Sequence, residues 1–200
     1  MVTRPPRSAV QRELLRSAEH VFSRDGYQQA SLQAIADRAG FTKGAVYSNF
    51  TSKPELFATV CETWTEDWIE RLRPRLVEAI EAARDLEAVA EGLASVLVAE
   101  IPRATTHQRT LSEFRLLAVR AQELRATYAG LAGRRIAVLE ETLLEHPLTA
   151  KFTAERRRGI AFGALTMLNA LAVERLAAPT VASDELVREA LARCLKGLLA

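Results

Sequence analysis

The sequence predicts an all-α protein. Three observations carry that expectation. Apolar residues recur with helical period along almost the whole chain, no run alternates apolar and polar residues for long enough to form a strand, and capping residues punctuate the periodic segments. With 200 residues, 48% hydrophobic and 26% charged, and with 9 Gly and 7 Pro, the composition fits one large soluble domain or two small ones sharing a core.

Residues 1–7, with Pro5, Pro6 and polar neighbours, read as a flexible basic arm. A first helix is expected from Ser8 to about Arg24, with Leu14, Leu15, Ala18, Val21 and Phe22 on one face and Asp25-Gly26 as its stop. Ser31 caps a second helix, Leu32 to Ala39, whose Leu32, Ile35 and Ala36 face inward and which Gly40 ends. Thr42 caps a short third helix from Lys43 to Asn49.

Ser52-Lys53-Pro54-Glu55 has the form of a capping box, with Pro54 tolerated in the first turn. It opens a long helix running to about Ala83. A fifth helix spans about Leu86 to Ile101 and is closed by Pro102; a loop through Arg103 to Thr106 leads to a sixth that ends near Ala121. The stretch from Gln122 to Glu145 could be continuous with it or a helix of its own, with Gly130 and Gly133 weakening its middle and Pro147 ending it. Thr153 caps a helix to about Ala178, Pro179 breaks it, and Ser183 caps a last helix from Asp184 to the end.

Net charge is only +2, but its distribution is uneven. Residues 1–53 hold eight basic side chains (Arg4, Arg7, Arg12, Arg16, Arg24, Arg38, Lys43, Lys53) against four acids (Glu13, Glu19, Asp25, Asp37), a balance of +4 that leaves −2 for the other 147 residues. A small basic head on a near-neutral body is the electrostatic outline of a nucleic-acid reader with a separate second function.

The segment FTKGAVYSNF, residues 41–50, sharpens that outline. It presents Lys43, Gly44, Ala45, Tyr47, Ser48 and Asn49 outward, where a core helix would need a continuous apolar face. Val46 and Phe50, four apart, anchor its inner side. Helix, Gly40-Phe41-Thr42 turn and second helix make a helix-turn-helix, whose second helix must leave its outer side chains free for base edges and phosphates. Gly44 lets the backbone approach a duplex closely. Lys43 suits guanine O6 or N7 and Ala45 a thymine methyl, each worth about 1–3 kcal/mol of discrimination. Lys53, at a helix N-terminus, and the Tyr47 hydroxyl suit phosphates. Arg4 and Arg7 could enter a minor groove, or be solvated by their own charge.

SLQAIADRAGFTKGAVYSNFTSKPELF resembles the DNA-binding segment of the TetR family of transcriptional regulators. The match runs through Ile35-Ala36, Ala39-Gly40, Gly44, Val46-Tyr47, Phe50, Lys53 and Leu56-Phe57, and covers roughly the first 60 residues. The resemblance implies three parts: the arm 1–7, a three-helix helix-turn-helix DNA-binding domain over 8–53, and a helical ligand-binding and dimerisation domain over 54–200, joined by the long helix. It implies that double-stranded operator DNA meets Ser31, Thr42, Lys43, Gly44, Ala45, Tyr47, Ser48, Asn49 and Lys53. Tyr47 and Lys53 fall on phosphates, Thr42 on the backbone, and Lys43, Ala45, Ser48 and Asn49 nearest the bases. Asn49 stands where family members often carry histidine or tyrosine, so base contact, phosphate contact and spacer stay open for it.

One helix-turn-helix buries little DNA, and such proteins commonly double it by symmetry. ERRRGIAFGALTMLNALAVERL places Gly159 and Gly163 four apart beside Phe162, Leu165 and Leu168, and the last helix adds Leu191 and Leu195. The resemblance puts these two helices in a homodimer contact; intrachain core is the alternative. The resemblance also implies a cavity for a small apolar or amphipathic effector, with Trp64, Trp68, His107, Leu111, Phe114, Arg115, Leu117, Tyr128 and Asn169 as candidate walls. The long helix from Pro54 to about Ala83 is the expected lever between body and head.

Other classes fit poorly. His20, His107 and His146 are dispersed, and the positions three before them are Ser17, Ala104 and Leu143 rather than glutamates. No phosphate-binding glycine loop or paired nucleophile and base occurs, so neither an enzyme nor a metal or cofactor is expected. Cys61 and Cys194 show no ligand spacing and suit a reducing compartment. The N-terminus lacks the apolar core of a secretory signal, and IAFGALTMLNALAV is short and holds Thr166 and Asn169, so the expectation is a cytoplasmic protein with no membrane contact. A DNA-binding regulator answering to a partner protein or to no signal, or acting as an activator, is the alternative function.

Overall fold

A computed structural model describes residues 6–101 and 105–200. These form ten helices: α1 (Arg7–Gln29), α2 (Leu32–Ala39), α3 (Lys43–Asn49), α4 (Lys53–Glu81), α5 (Leu86–Val98), α6 (Thr105–Arg120), α7 (Gln122–Glu145), α8 (Pro147–Ala150), α9 (Ala154–Ala177) and α10 (Asp184–Leu199). No strand occurs among the described residues, and the all-α expectation holds. Most of the basic arm, Arg4 included, and residues 103–104 of the expected loop lie outside the described residues, while Thr105 and Thr106 of that loop already belong to α6.

The 29 residues of α4 organise the molecule. Its buried positions include Leu56, Val60, Trp64, Trp68, Leu72, Leu76 and Ile80, a strict four-residue period. A helix turns about 100° per residue, so each step advances the apolar stripe by roughly 40° and the six steps carry it about 240° around the axis. The stripe therefore serves different neighbours at its two ends. Leu56, Val60 and Trp64, with Phe57 and Cys61, pack with Leu14, Phe22, Ile35, Val46 and Phe50 of the first three helices and their turns. Trp68, Leu72, Leu76 and Ile80 belong to a second cluster built from α5, α7, α9 and α10. Pro74, inside α4, removes one hydrogen bond of the ladder from a solvent-facing position.

The head core is not closed by the first three helices alone. Phe114 and Ala118 of α6 and Leu124 and Leu131 of α7 complete it, so packing does not break at residue 53. Phe57 sits edge-on between Phe22 and Phe114, with centroids 4.8 and 5.1 Å away.

Three local features refine the sequence reading and have physical causes. Gly26 adopts φ 72, ψ 172, so the expected stop is a kink, after which a last turn continues to Gln29. That turn is held by α6: the Glu113 carboxylate accepts the backbone N–H of Tyr27 at 2.9 Å and of Gln28 at 3.1 Å, and a Cβ on Gly26 would lie 2.9 Å from Glu113 Oε2. Second, the α4 start is displaced from a strict capping box. Ser52 Oγ accepts from Glu55 N at 3.2 Å, while the Glu55 carboxylate takes its closest backbone bond from Thr51 N at 2.6 Å, one residue before the Ser52 of a strict box. Third, α6 and α7 are separate, because Ala121 is extended (φ −114, ψ 110) and Arg125 reaches back to the carbonyls of Ala118 and Val119.

The window counted apolar in α9 is longer than the sequence reading allowed. Among the described residues this helix is long and apolar enough to cross a membrane, with a mean hydropathy of 1.4, and only 33% of that window is buried within the chain. Ile160, Ala161, Ala164, Leu165, Leu168 and Ala172 tie it into the body core, while another apolar face stays outside.

Replacing Glu113 by Ala is expected to lower the unfolding free energy by about 1–3 kcal/mol, since two backbone donors lose a charged acceptor. Urea denaturation of the full chain measures this; an unchanged midpoint would mean that the α1–α6 joint carries no stability.

Candidate nucleic-acid interface

Local chemistry fixes the helix-turn-helix. Ser31 Oγ accepts from Ala34 N at 3.0 Å and starts α2. At its other end Gly40 is left-handed (φ 72, ψ 26), with Phe41 N donating to Ala36 O and Gly40 N to Asp37 O, the paired bonds of a Schellman motif. Thr42 Oγ1 then accepts from Ala45 N at 3.2 Å and starts α3. Val46 and Phe50 are buried at 0% and 3% exposure and fix the rotation of α3 about its axis. Its outer side follows: Thr42, Lys43, Gly44, Tyr47 and Ser48 are exposed, with Ala45 and Asn49 half-buried.

Two residues of this face are already engaged by their own helix. Ser48 Oγ donates to Ala45 O at 2.9 Å, and Asn49 Nδ2 donates to the same carbonyl at 2.8 Å. Lys53 is half-buried, its Nζ 3.3 Å from Gln28 O and 4.5 Å from the centre of the Tyr27 ring, and burial pulls its pKa down against the opposing pull of Glu113. Arg7 donates to Ser48 O at 3.2 Å, which brings the end of the arm against α3. Arg16 and Arg24 pair with Glu13 and Asp25, whereas Arg7, Arg12, Arg38, Lys43 and Lys53 make no ion pair with the described residues.

In the body, a cavity of about 270 Å³ opens between α6, α7 and α9. Four candidate wall residues, Leu111, Arg115, Tyr128 and Asn169, line it. Arg115 Nε donates to Tyr128 Oη at 2.8 Å, and Asn169 Oδ1 accepts from Gln108 at 2.9 Å. The other candidates lie elsewhere. Phe114, one residue and about 100° around the helix from Arg115, faces the head core with Leu117 nearby. Trp64 stacks on His107 at 4.3 Å and donates to Glu19 at 2.8 Å; with Trp68 they border a hollow of about 20 Å³, room for little more than a water. Burial holds His107 below the ordinary imidazole range, with Glu19 acting against it.

Comparison with known proteins agrees with the geometry of the head. Residues 14–60 match the family described as bacterial regulatory proteins, tetR family. The segment over residues 14–60 is thus of the TetR type. The chain is 31% identical over 71 residues to the HTH-type transcriptional regulator YfiR of Bacillus subtilis, covering 36% of this chain and 35% of that protein. It is 34% identical over 88 residues to the HTH-type transcriptional activator FasR of Mycolicibacterium smegmatis, covering 44% of this chain and 40% of that one. The chain thus aligns with less than half the length of these curated relatives. A crystal structure of a TetR-family regulator from Mesorhizobium loti superposes with a TM-score of 0.74 at 19% identity, over 98% of both chains, and shares the fold throughout.

The stripe expected at an intersubunit face divides in two. Leu165, Leu168, Leu191 and Leu195 are at most 4% exposed and pack within the chain, because helical period alone does not separate an inner stripe from an outer one. Gly163 faces Leu198, whose Cδ1 would lie 2.8 Å from a Cβ there, so its close approach joins α9 to α10 of the same chain. Gly159 and Phe162 face outward, and Val173, Leu176 and Leu186 join them as exposed apolar residues. Sequence reading missed Arg135, which projects into the cavity, although a charged residue four after Leu131 and three before Val138 interrupts an apolar face.

At Gly40 a Cβ would meet nothing within 4 Å, so the cost of Gly40→Ala is the left-handed backbone alone, about 1–2 kcal/mol. Gly40→Asn should cost less. Thermal unfolding of both variants checks this; equal losses would point to a packing role.

Proposed function

We propose that this chain is a ligand-responsive repressor that binds a two-fold symmetric operator as a homodimer. The observation that carries the DNA contact is the polar outer side of α3, held outward by Val46 and Phe50 and by the Gly40 turn. Lys43, Ala45 and Ser48 then read base edges, while Gly44 admits close approach. Thr42, Tyr47 and the Ser31 end of α2 meet the backbone. Lys53 reaches a phosphate by exchanging its bond to the Gln28 carbonyl. Asn49, turned onto the Ala45 carbonyl, serves as the spacer among its three readings.

Dimerisation is supported by the uncovered face of α9. Gly159, Phe162, Thr166, Ala170, Val173 and Ala177 are all exposed and follow one another at intervals of three and four residues. A second copy of the same face, related by a two-fold axis, covers it.

Ligand response is supported by the cavity and by α6. Leu111 and Arg115 line the cavity, while Glu113 holds the last turn of α1, so α6 joins α4 as a connection between the ligand site and the head. A ligand that prefers a wrongly spaced pair of heads by ~100-fold supplies nearly 3 kcal/mol of coupling. One observation favours the second reading, activation: FasR, one of the relatives, is named an activator. Operator position relative to the promoter separates the two.

Lys53→Ala and Tyr47→Phe are expected to weaken binding to specific and random duplexes alike, whereas Lys43→Ala and Ser48→Ala change the ratio between them. Parallel titrations decide this, and selective loss with Lys53→Ala contradicts the assignment. Sedimentation should give twice the 22.1 kDa chain mass for the wild type and the chain mass alone for Ala170→Glu with Val173→Glu. A monomeric wild type removes the dimer.

A further inference from the structure

The cavity between α6, α7 and α9 carries more than a volume. Its walls include Leu131, Ile136 and Leu165, and its charged members are Arg115 and Arg135; no carboxylate lines it. Arg135 is only 9% exposed, makes no hydrogen bond or ion pair with any described residue, and has a buried Nε without a partner. Its guanidinium lies 4.5 Å from the centre of the Trp68 ring, and Tyr128 also favours its charge, but neither is an acid.

Burial pulls Arg135 down to about 10, and the second guanidinium, Arg115, acts in the same direction. Even so lowered, it is charged at neutral pH. A buried cation is normally paired with an acid, and none is present here. The remaining polar groups are also biased towards donation: the carbonyl of Asn169 is occupied by Gln108, which leaves its amide N–H groups for the cavity. The Tyr128 hydroxyl accepts from Arg115 and keeps its proton for another partner.

We propose that this cavity binds a small amphipathic monoanion, a carboxylate with an apolar body, whose carboxylate sits on the Arg135 guanidinium between Arg115 and Asn169. A planar fork of N–H donors matches a carboxylate in two-point geometry, and the apolar walls take the hydrocarbon part. The missing acid of the buried ion pair is then supplied by the ligand. This proposal rests on the reading of the body as a ligand-responsive domain and names the chemical class that it senses.

The test is calorimetric titration of the full chain, without DNA, with straight-chain carboxylates from butanoate to dodecanoate and with phenylacetate, each beside its primary amide, and with octylammonium as the cationic control. At least one carboxylate is expected to bind tenfold or more tightly than its amide. Arg135→Met is expected to remove that preference while unfolding at or above the wild-type temperature, since it loses an unpaired charge. Arg135→Lys should keep part of the preference. Amides that bind as well as the acids, binding of octylammonium, or no binding across the series overturns the proposal, and the acid-to-amide ratio of the wild type decides it even if the Met variant does not fold. Operator titrations separate this from the regulatory reading. A carboxylate bound through Arg135 that leaves DNA affinity unchanged upholds the site and removes ligand response, whereas a neutral ligand that shifts DNA affinity with no acid preference does the reverse.

Discussion

The structure depends on a single helix belonging to two cores. The buried stripe of α4 winds around its axis, so Leu56 and Val60 stand under α1 to α3 while Leu76 and Ile80 stand inside the body. Neither cluster closes without it. A head built on α1 to α3 alone is too small to hold a core of its own, and the loan of α4, α6 and α7 residues supplies the missing apolar surface. The same loan makes the position of α3 a property of the whole chain.

A second connection runs through α6, and its faces divide the work. Phe114 and Ala118 complete the head core, Glu113 grips the kinked end of α1, and Leu111 and Arg115 reach the cavity. Contents of the cavity and placement of the head therefore bear on one rigid element. In such an arrangement coupling needs no long chain of contacts, only two positions of a packed helix that differ in how well they suit ligand and DNA.

How much of this was legible in the sequence depends on how local the cause is. The bounds of α2 and α3 coincide with the expected ones, because Ser31, Gly40 and Thr42 act on neighbours three or four residues away. The break between α6 and α7 stayed open in the sequence, since Ala121 carries no turn chemistry and the cap comes from Arg125 beyond it. Polar residues among apolar ones, Arg115 and Asn169, fall on the cavity. Trp64 and Phe114 did not, because an aromatic residue on a helix packs against whatever the fold brings near, and here that is the head. The leucines of α9 and α10 show the same limit: their period is right, but only the fold decides that Leu168 and Leu191 face inward while Phe162 faces out.

The proposed function requires that two copies of this helix-turn-helix read one symmetric site. Selection of random duplex DNA by the purified full chain, followed by sequencing of the bound fraction, addresses that claim directly. Enrichment of a motif with two half-sites related by a two-fold axis is the predicted result. A single unrepeated half-site, or no enrichment over the starting pool, would contradict it.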